Sequence, residues 1–85
     1  MKVFEFTITD PVGIHTRPAG QLVALTRTFS STIRINGNNK SVDGKKMIAI
    51  MCLGIKHGQT IQVQVEGEDE EAAFTALEQF FKTNL

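Results

Sequence analysis

The stretch TIQVQVE, residues 60–66, decides the fold class of this chain. Its apolar residues Ile61, Val63 and Val65 alternate with polar ones, which is the period of a strand with one buried and one solvated face. Strands of this kind belong to antiparallel sheets that helices cover on one side only. We therefore expect the rest of the chain to supply similar strands and the helices that cover them.

The same alternation predicts three further strands. Residues 4–8 and 33–36 each place apolar side chains at every second position. The sequence NGNN at 36–39 is a strong turn signal, so residues 40–43 are expected to return as a short third strand. All four strands have one apolar and one polar face, which favours a single antiparallel sheet.

Apolar residues at helical spacing predict three helices. The first begins near Pro18, because a proline in the first turn lacks only an N–H that would be unpaired anyway, and its apolar stripe runs to Phe29. The second covers Lys46–Leu53, and the third covers Glu70–Lys82 with Asp69 as its N-cap. The order is strand, helix, strand, strand, helix, strand, helix. This predicts an α+β fold with helices on one face of the sheet.

Length and composition exclude several classes of protein. The 85 residues suit one compact domain, residues 1–85. Nine basic and nine acidic residues cancel, whereas a dedicated nucleic-acid binder usually has a basic excess. The single cysteine, Cys52, excludes an intramolecular disulfide and a cysteine-rich metal site, and we expect it to be a small buried hydrophobe.

Residues 1–6 lack the apolar core of a signal peptide. No apolar run is long enough to span a bilayer. We therefore expect a cytoplasmic protein without membrane insertion.

The sequence GIHTRP, residues 13–18, brings unusual chemistry to the start of the first helix. His15 precedes the helix, and the N–H groups of Thr16 and Arg17 have no partner within it. The positive end of the helix dipole disfavours imidazolium and favours an anion. We therefore expect a neutral imidazole with a free lone pair, next to a site for a phosphate group. Arg17 adds a permanent cation whose fork of donors matches phosphate oxygens.

A simpler interpretation of the same residues stays open at this point. A histidine near a helix start is most often a surface or capping residue, and an arginine such as Arg17 is usually only a solvated charge. His57, next to Gly58 in a polar turn, is expected at the surface. Neither histidine has partners at metal-ligand spacing, so no metal site is predicted.

The second predicted helix is too apolar to bury every side against one sheet. Ile50 and Leu53 can enter the core, whereas Met47, Ile48 and Met51 form a separate patch. Either a loop covers this patch or the helix is deeply buried, or the patch binds a partner. Four cations are expected around it: Arg17, Arg27, Lys45 and Lys46. If the patch is a docking surface, its partners should be acidic and their association should depend on salt.

Three stretches together resemble one known family. GIHTRPAG at 13–20 resembles the active-site signature of HPr, the histidine-containing phosphocarrier of the bacterial phosphoenolpyruvate-dependent sugar phosphotransferase system. The stretch NGNNKSVDGKKMIAIMCLGIKHG at 36–58 resembles the family's second signature, and VEGEDEEAA at 65–73 resembles the start of its last helix. The resemblance runs nearly from end to end of the chain.

The resemblance implies an open-faced β-sandwich with four antiparallel strands and three helices. It also implies that His15 accepts a phosphoryl group on Nδ1 from phosphorylated enzyme I and donates it to a histidine of sugar-specific IIA domains. Thr16, Arg17 and Pro18 would hold the phosphate at the helix start. The chain would be a monomeric carrier without a cofactor and not itself an enzyme. The partner-docking residues implied are Gly20, Arg27, Lys45, Met47, Ile48 and Met51.

Two positions depart from the family pattern. Lys46 stands where low-GC Gram-positive members carry a serine that a dedicated kinase phosphorylates to control carbon catabolite repression. Lysine cannot take that modification and carries the opposite charge, and Ser41 and Thr60 are not at the matching place. Gly20 stands where a larger residue is common, which changes the surface beside His15.

Two other functions are considered. The chain could be a regulatory paralogue that is phosphorylated at His15 but serves mainly as a signalling module with regulatory proteins as partners. A nucleic-acid-binding or metal-binding domain is disfavoured, because the chain lacks a basic excess and clusters of metal-ligating residues.

Overall fold

The computed structural model describes residues 1–85 and folds them into four strands and three helices in the predicted order. In chain order they are β1 (Lys2–Thr7), α1 (Thr16–Thr26), β2 (Thr32–Gly37), β3 (Lys40–Asp43), α2 (Met47–Met51), β4 (Thr60–Glu66) and α3 (Glu70–Asn84). The alternation at 60–66 therefore does form a strand.

The sheet is antiparallel throughout, with the strand order β1-β4-β2-β3. β4 lies in the interior of the sheet and pairs with β1 from Val65 opposite Lys2 to Thr60 opposite Thr7. β2 and β3 form a hairpin whose turn residues, Asn38 and Asn39, have φ of 51° and 63°. Two left-handed residues in succession match the right-handed twist of the paired strands. The predicted four-stranded antiparallel sheet is confirmed.

The core lies between one face of the sheet and the three helices. Strand residues such as Ile35 and Val63 are fully buried, and they pack with Leu22 of α1, Leu77 of α3 and Ile50 of α2. The other sheet face carries polar side chains, among which an amide pair of β2 and β4 and a threonine pair of β1 and β4 form hydrogen bonds. The prediction of helices on one face of an α+β open-faced sandwich is confirmed.

The helix boundaries differ from the predicted ones for local reasons. α1 begins at Thr16, two residues before Pro18, which still lies in the first turn. α2 is shorter than predicted because Lys46 is extended, with φ −118° and ψ 109°, and because the chain turns at Cys52. α3 continues to Asn84, two residues beyond the predicted end.

The expected burial of Cys52 is wrong. The residue is exposed, because it is the C-cap of a helix only five residues long, and the core-facing side of that helix is taken by Ile50. The next residue, Leu53, is buried as predicted. The apolar run 47–53 therefore contains both core and surface positions.

Candidate functional site

A tight loop presents the histidine before α1. The Oδ1 atom of Asp10 accepts a hydrogen bond from the Val12 N–H at 2.8 Å, and the Asp10 carbonyl accepts one from Gly13 N–H at 3.0 Å. Gly13 has φ +80°, and a Cβ there would lie 2.7 Å from the Lys56 Cα. Only glycine fits this close approach without strain. The loop is therefore held against residues 55 and 56, and its path leads directly into the helix.

His15 is the N-cap residue of α1, with extended backbone at φ −124° and ψ −173°. Its carbonyl accepts the Ala19 N–H at 3.0 Å, but its side chain makes no capping hydrogen bond and is 40% exposed. The N–H groups of Thr16 and Arg17 have no acceptor within the protein, and Pro18 has no N–H. No acidic residue occupies the first turn. α1 thus begins with free donors that an anion can use.

Asp10 faces the histidine, which sequence reasoning missed. Its Oδ2 atom lies 3.6 Å from the His15 Nε2 atom, while its other oxygen is used by the turn. The available signal was an aspartate at the beginning of a loop, where such residues commonly bond to the backbone two residues on. That pattern predicts the turn, but the direction of the second oxygen depends on the loop conformation.

Arg17 is exposed and forms no ion pair with any carboxylate. It lies two residues after His15 in the first turn of α1. A guanidinium without a carboxylate partner keeps its donors available for phosphate oxygens. The imidazole makes no capping hydrogen bond, so the capping interpretation of His15 is not supported. The partial exposure of His15 and the exposure of Arg17 agree with the other simple interpretation, that both are surface residues.

The predicted apolar patch of Met47, Ile48 and Met51 is partly open to solvent. Ile48 is 72% exposed, whereas the two methionines are half-buried and pack against the edge of the core. No loop covers Ile48, so deep burial of this helix is excluded. The side chain of Met47 passes over Gly20 of α1, because a Cβ at Gly20 would lie 3.7 Å from the Met47 Cε. The patch therefore borders the helix that begins at His15.

The four expected cations are not equivalent. Lys45 is half-buried, and its ammonium donates to the Phe29 carbonyl at 2.7 Å. Arg27 is exposed, and its Nε donates to the Lys45 carbonyl at 3.0 Å. Both residues tie the end of α1 to the loop before α2. Lys46 and Arg17 are exposed and free of ion pairs. Unlike those of Lys45 and Arg27, their charged groups do not hold neighbouring segments together.

The remaining candidates take no part in this site. His57 is exposed in a turn, as predicted. No three metal-ligating side chains come together in the fold. None of the three helices has the length and apolar composition that crossing a membrane requires.

Comparison with known proteins assigns the family. The family model "PTS HPr component phosphorylation site" matches residues 2–83. The phosphocarrier protein HPr of Lysinibacillus sphaericus is 46% identical over 77 residues, which are 91% of this chain and 88% of that protein. The crystal structure of HPr-C-His from Thermoanaerobacter tengcongensis gives a TM-score of 0.92 at 36% identity, over 98% of this chain and 93% of that one. An HPr dimer of the same organism gives 0.77 at 36% identity, over 98% and 95%. The chain therefore belongs to the HPr family, the phosphocarriers of the phosphotransferase system.

Proposed function

We propose that this chain accepts a phosphoryl group on the Nδ1 atom of His15 from phosphorylated enzyme I and passes it to sugar-specific IIA domains. The proposal rests on the arrangement of groups at the start of α1. There, an imidazole without a capping role stands next to two free N–H groups, with no carboxylate in the first turn. A helix start without carboxylates favours a bound dianion more than a helix start with carboxylates in its first turn does.

The carrier's part in the transfer uses groups at the start of α1. The Nδ1 lone pair forms a bond to phosphorus while the bond between phosphorus and the donor's leaving atom breaks. The phosphate oxygens are then stabilised by the N–H groups of Thr16 and Arg17 and by the Arg17 guanidinium, while Pro18 fixes the backbone of the first turn. In the second transfer a nitrogen of the IIA histidine forms a bond to phosphorus while the bond to His15 breaks, and the electron pair of the broken bond returns to Nδ1. The carrier presents the group, and the partner phosphotransferases complete the chemistry.

The partners dock on the patch of Met47, Ile48 and Met51. Its exposed isoleucine and the adjacent methionine surface suit more than one partner, because methionine side chains adapt to different shapes. Gly20 has no side chain, so nothing protrudes from α1 at this position next to Met47. Arg17, Arg27 and Lys46 add positive charge around the patch, which favours acidic partner surfaces. Lys45 contributes mainly by holding the loop before α2 in place.

Lys46 also bears on regulation. It is exposed at the N-cap of α2, the position of the regulatory serine in the family members considered above. A lysine there cannot be phosphorylated by the serine kinase. We propose that the chain acts as a single domain, residues 1–85, and as a monomer, whose transfer activity does not respond to that kinase.

The decisive experiment is phosphorylation by phosphoenolpyruvate and enzyme I, followed by intact-mass measurement. We expect one acid-labile phosphate on the wild-type chain and none on His15→Ala. His57→Ala is the matched control, because it removes the other histidine from an exposed turn, and it should be phosphorylated normally. Absence of phosphate on the wild-type chain would contradict the proposed function.

A second measurement separates transport from regulation. The phosphorylated chain is mixed with IIA domains of the host, and transfer of the phosphate is followed over time. Transfer to at least one IIA domain supports the carrier role. If no IIA domain accepts the phosphate, the chain is a regulatory paralogue. Incubation with the serine kinase and ATP should leave the chain unmodified, and a phosphate on any hydroxyl would contradict the role given to Lys46.

A further inference from the structure

We propose that the carboxylate of Asp10 is a positioning group that keeps the ring proton of His15 on Nε2, so that Nδ1 presents its lone pair to the phosphoryl group. This inference rests on the proposed function and adds a residue to it. The carrying observation is the contact between Asp10 Oδ2 and His15 Nε2 at 3.6 Å, the one ion-pair contact that His15 makes.

Asp10 is held in place by its own backbone and by one of its carboxylate oxygens. Its N–H donates to the Leu85 carbonyl at 2.9 Å, and its carbonyl accepts the Gly13 N–H at 3.0 Å. Oδ1 accepts the Val12 N–H at 2.8 Å. These three bonds fix the carboxylate plane and leave Oδ2 free to face the imidazole. The Asp10 side chain is 21% exposed, against 40% for His15, so the carboxylate is the more buried of the two groups.

The distance of 3.6 Å is longer than a direct hydrogen bond, so the carboxylate acts on the ring through its charge. A negative charge next to one nitrogen of a neutral imidazole favours the tautomer with the proton on that nitrogen. The same logic is used by the carboxylates that orient histidine ligands of metals and the histidines of catalytic triads. The other nitrogen, Nδ1, then carries the lone pair.

The arrangement serves both halves of the carrier cycle. During acceptance, the Nδ1 lone pair forms the N–P bond, the donor keeps the electron pair of the broken bond, and the ring proton stays on Nε2. In the phosphorylated chain, Asp10 compensates positive charge on the ring at Nε2, while the phosphate oxygens face the helix start. During donation the N–P electrons return to Nδ1 and the original tautomer is restored. No proton has to enter or leave the ring at any step.

The test uses the unphosphorylated full chain with ¹⁵N-labelled histidine. The two neutral tautomers have distinct ¹⁵N shifts and couplings, so their populations are measured directly by NMR at a pH where the ring is neutral. We expect mainly the Nε2–H tautomer of His15 in the wild-type chain. Asp10→Asn retains an oxygen for the Val12 N–H but removes the charge, and the Nε2–H population should fall. Phosphoryl uptake from enzyme I should slow about twofold to fivefold, the range of a partly exposed ion pair.

Two further variants keep the test decisive. Asp10→Ser retains a short side-chain acceptor for the turn without reaching His15, and it should behave as Asp10→Asn does. Glu5→Gln neutralises an exposed carboxylate on β1, across the sheet from the helices, and it should leave both the tautomer and the uptake rate unchanged.

The outcomes separate this inference from the proposed function. An unchanged tautomer in both Asp10 variants would overturn the inference, even if uptake slowed, because the loss would then come from the loop alone. A wild-type chain with mainly the Nδ1–H tautomer would overturn it as well. Failure of the wild-type chain to take phosphate from enzyme I would instead overturn the proposed function. The tautomer is measured on the unphosphorylated chain, so its outcome does not depend on phosphate transfer from enzyme I.

Discussion

The two long helices of this molecule begin in opposite ways. α3 begins with Asp69 as its N-cap and has Glu70 and Glu71 in its first turn. α1 begins with His15 as its N-cap and has no acidic residue in its first turn. Both helix starts carry the same partial positive charge. The chain therefore places its own carboxylates in the first turn of one helix and none in the first turn of the other.

The carboxylates at the start of α3 serve the structure. Asp69 accepts hydrogen bonds from the Ser31 hydroxyl, from the Ser30 N–H at 2.9 Å and from the Ser31 N–H at 3.0 Å. The Ser31 hydroxyl, followed by the Ser30 N–H, lowers the pKa of Asp69 from 3.8 to about 2. The Gly67 N–H likewise holds the pKa of Glu70 below its ordinary value. This end of α3 is thus tied to the loop before β2.

The comparison shows how one physical property of helices is used for two purposes. At α3, the carboxylates next to the positive end make no capping hydrogen bond to the helix, and they fasten it to neighbouring segments instead. At α1, the positive end lies beside the His15 imidazole and the Arg17 guanidinium, which pairs with no carboxylate, and such a helix start favours an anion. The first three variants below change the charged groups at one helix start, and the fourth changes a glycine within α1.

The largest expected effect comes from removing the free cation at the start of α1. Arg17→Ala should slow phosphoryl uptake about tenfold or more, the range of charge-assisted hydrogen bonds. Arg17→Lys should recover part of the rate, because it keeps the charge but loses the planar fork. The measurement is the rate of uptake from phosphorylated enzyme I. Arg34→Ala, which removes an arginine from the polar face of the sheet, is the control, and equal losses in the two alanine variants would show that Arg17 has no special role.

A carboxylate placed at the start of α1 should make it resemble α3. Thr16→Glu, at an exposed position, is expected to slow phosphoryl uptake about fivefold, while the helix gains about 0.3–1 kcal/mol of stability from its dipole. The two effects have opposite signs, which a general disruption of folding cannot produce. Uptake rates and urea unfolding are compared with Thr75→Glu in the middle of α3. Faster uptake by Thr16→Glu would contradict the proposed electrostatics.

Removing the carboxylate at the start of α3 should affect folding but not transfer. Asp69→Asn is expected to lower the unfolding midpoint and to leave the uptake rate at the wild-type level. Because the folded state holds the pKa of Asp69 at about 2 against 3.8, its contribution is complete above about pH 4 and is lost as the pH falls through 2. The difference in stability between wild type and variant should therefore shrink across this interval. A difference that grows toward low pH would contradict the assignment.

The smallest expected effect concerns the contact between α1 and the docking patch. Gly20→Ala should stabilise the fold by about 0.5–1 kcal/mol, since the added Cβ would meet Met47 Cε at 3.7 Å, an ordinary contact. Uptake should slow slightly, because Gly20 belongs to the proposed docking surface and the variant adds one methyl group there. Urea unfolding measures the stability, with Gly13→Ala as the contrast. That second variant should destabilise the protein, because Gly13 has φ +80° and no space for a Cβ. A loss of stability in Gly20→Ala would show that Met47 cannot adjust.

The element order was predictable because each element is defined by the periodicity of its own residues. The alternation of Ile61, Val63 and Val65 specifies a two-faced strand wherever that strand lies in the sheet. The position of β4 between β1 and β2 was not predictable in this way, because it depends on pairings between segments far apart in the chain. For the same reason the burial of Cys52 was misjudged, since its exposure depends on where α2 ends against the sheet.

The sequence by itself determined the α+β element order, a histidine at the start of a helix whose first turn has no acidic residue, and a lysine at position 46, because these properties are local. Only the tertiary structure decided which charges are free. It ties the Lys45 ammonium to the Phe29 carbonyl, leaves Arg17 without a carboxylate and brings Asp10 to face His15. The physical reason is that a charge acts over a few ångströms in space, and only the folded chain sets those distances.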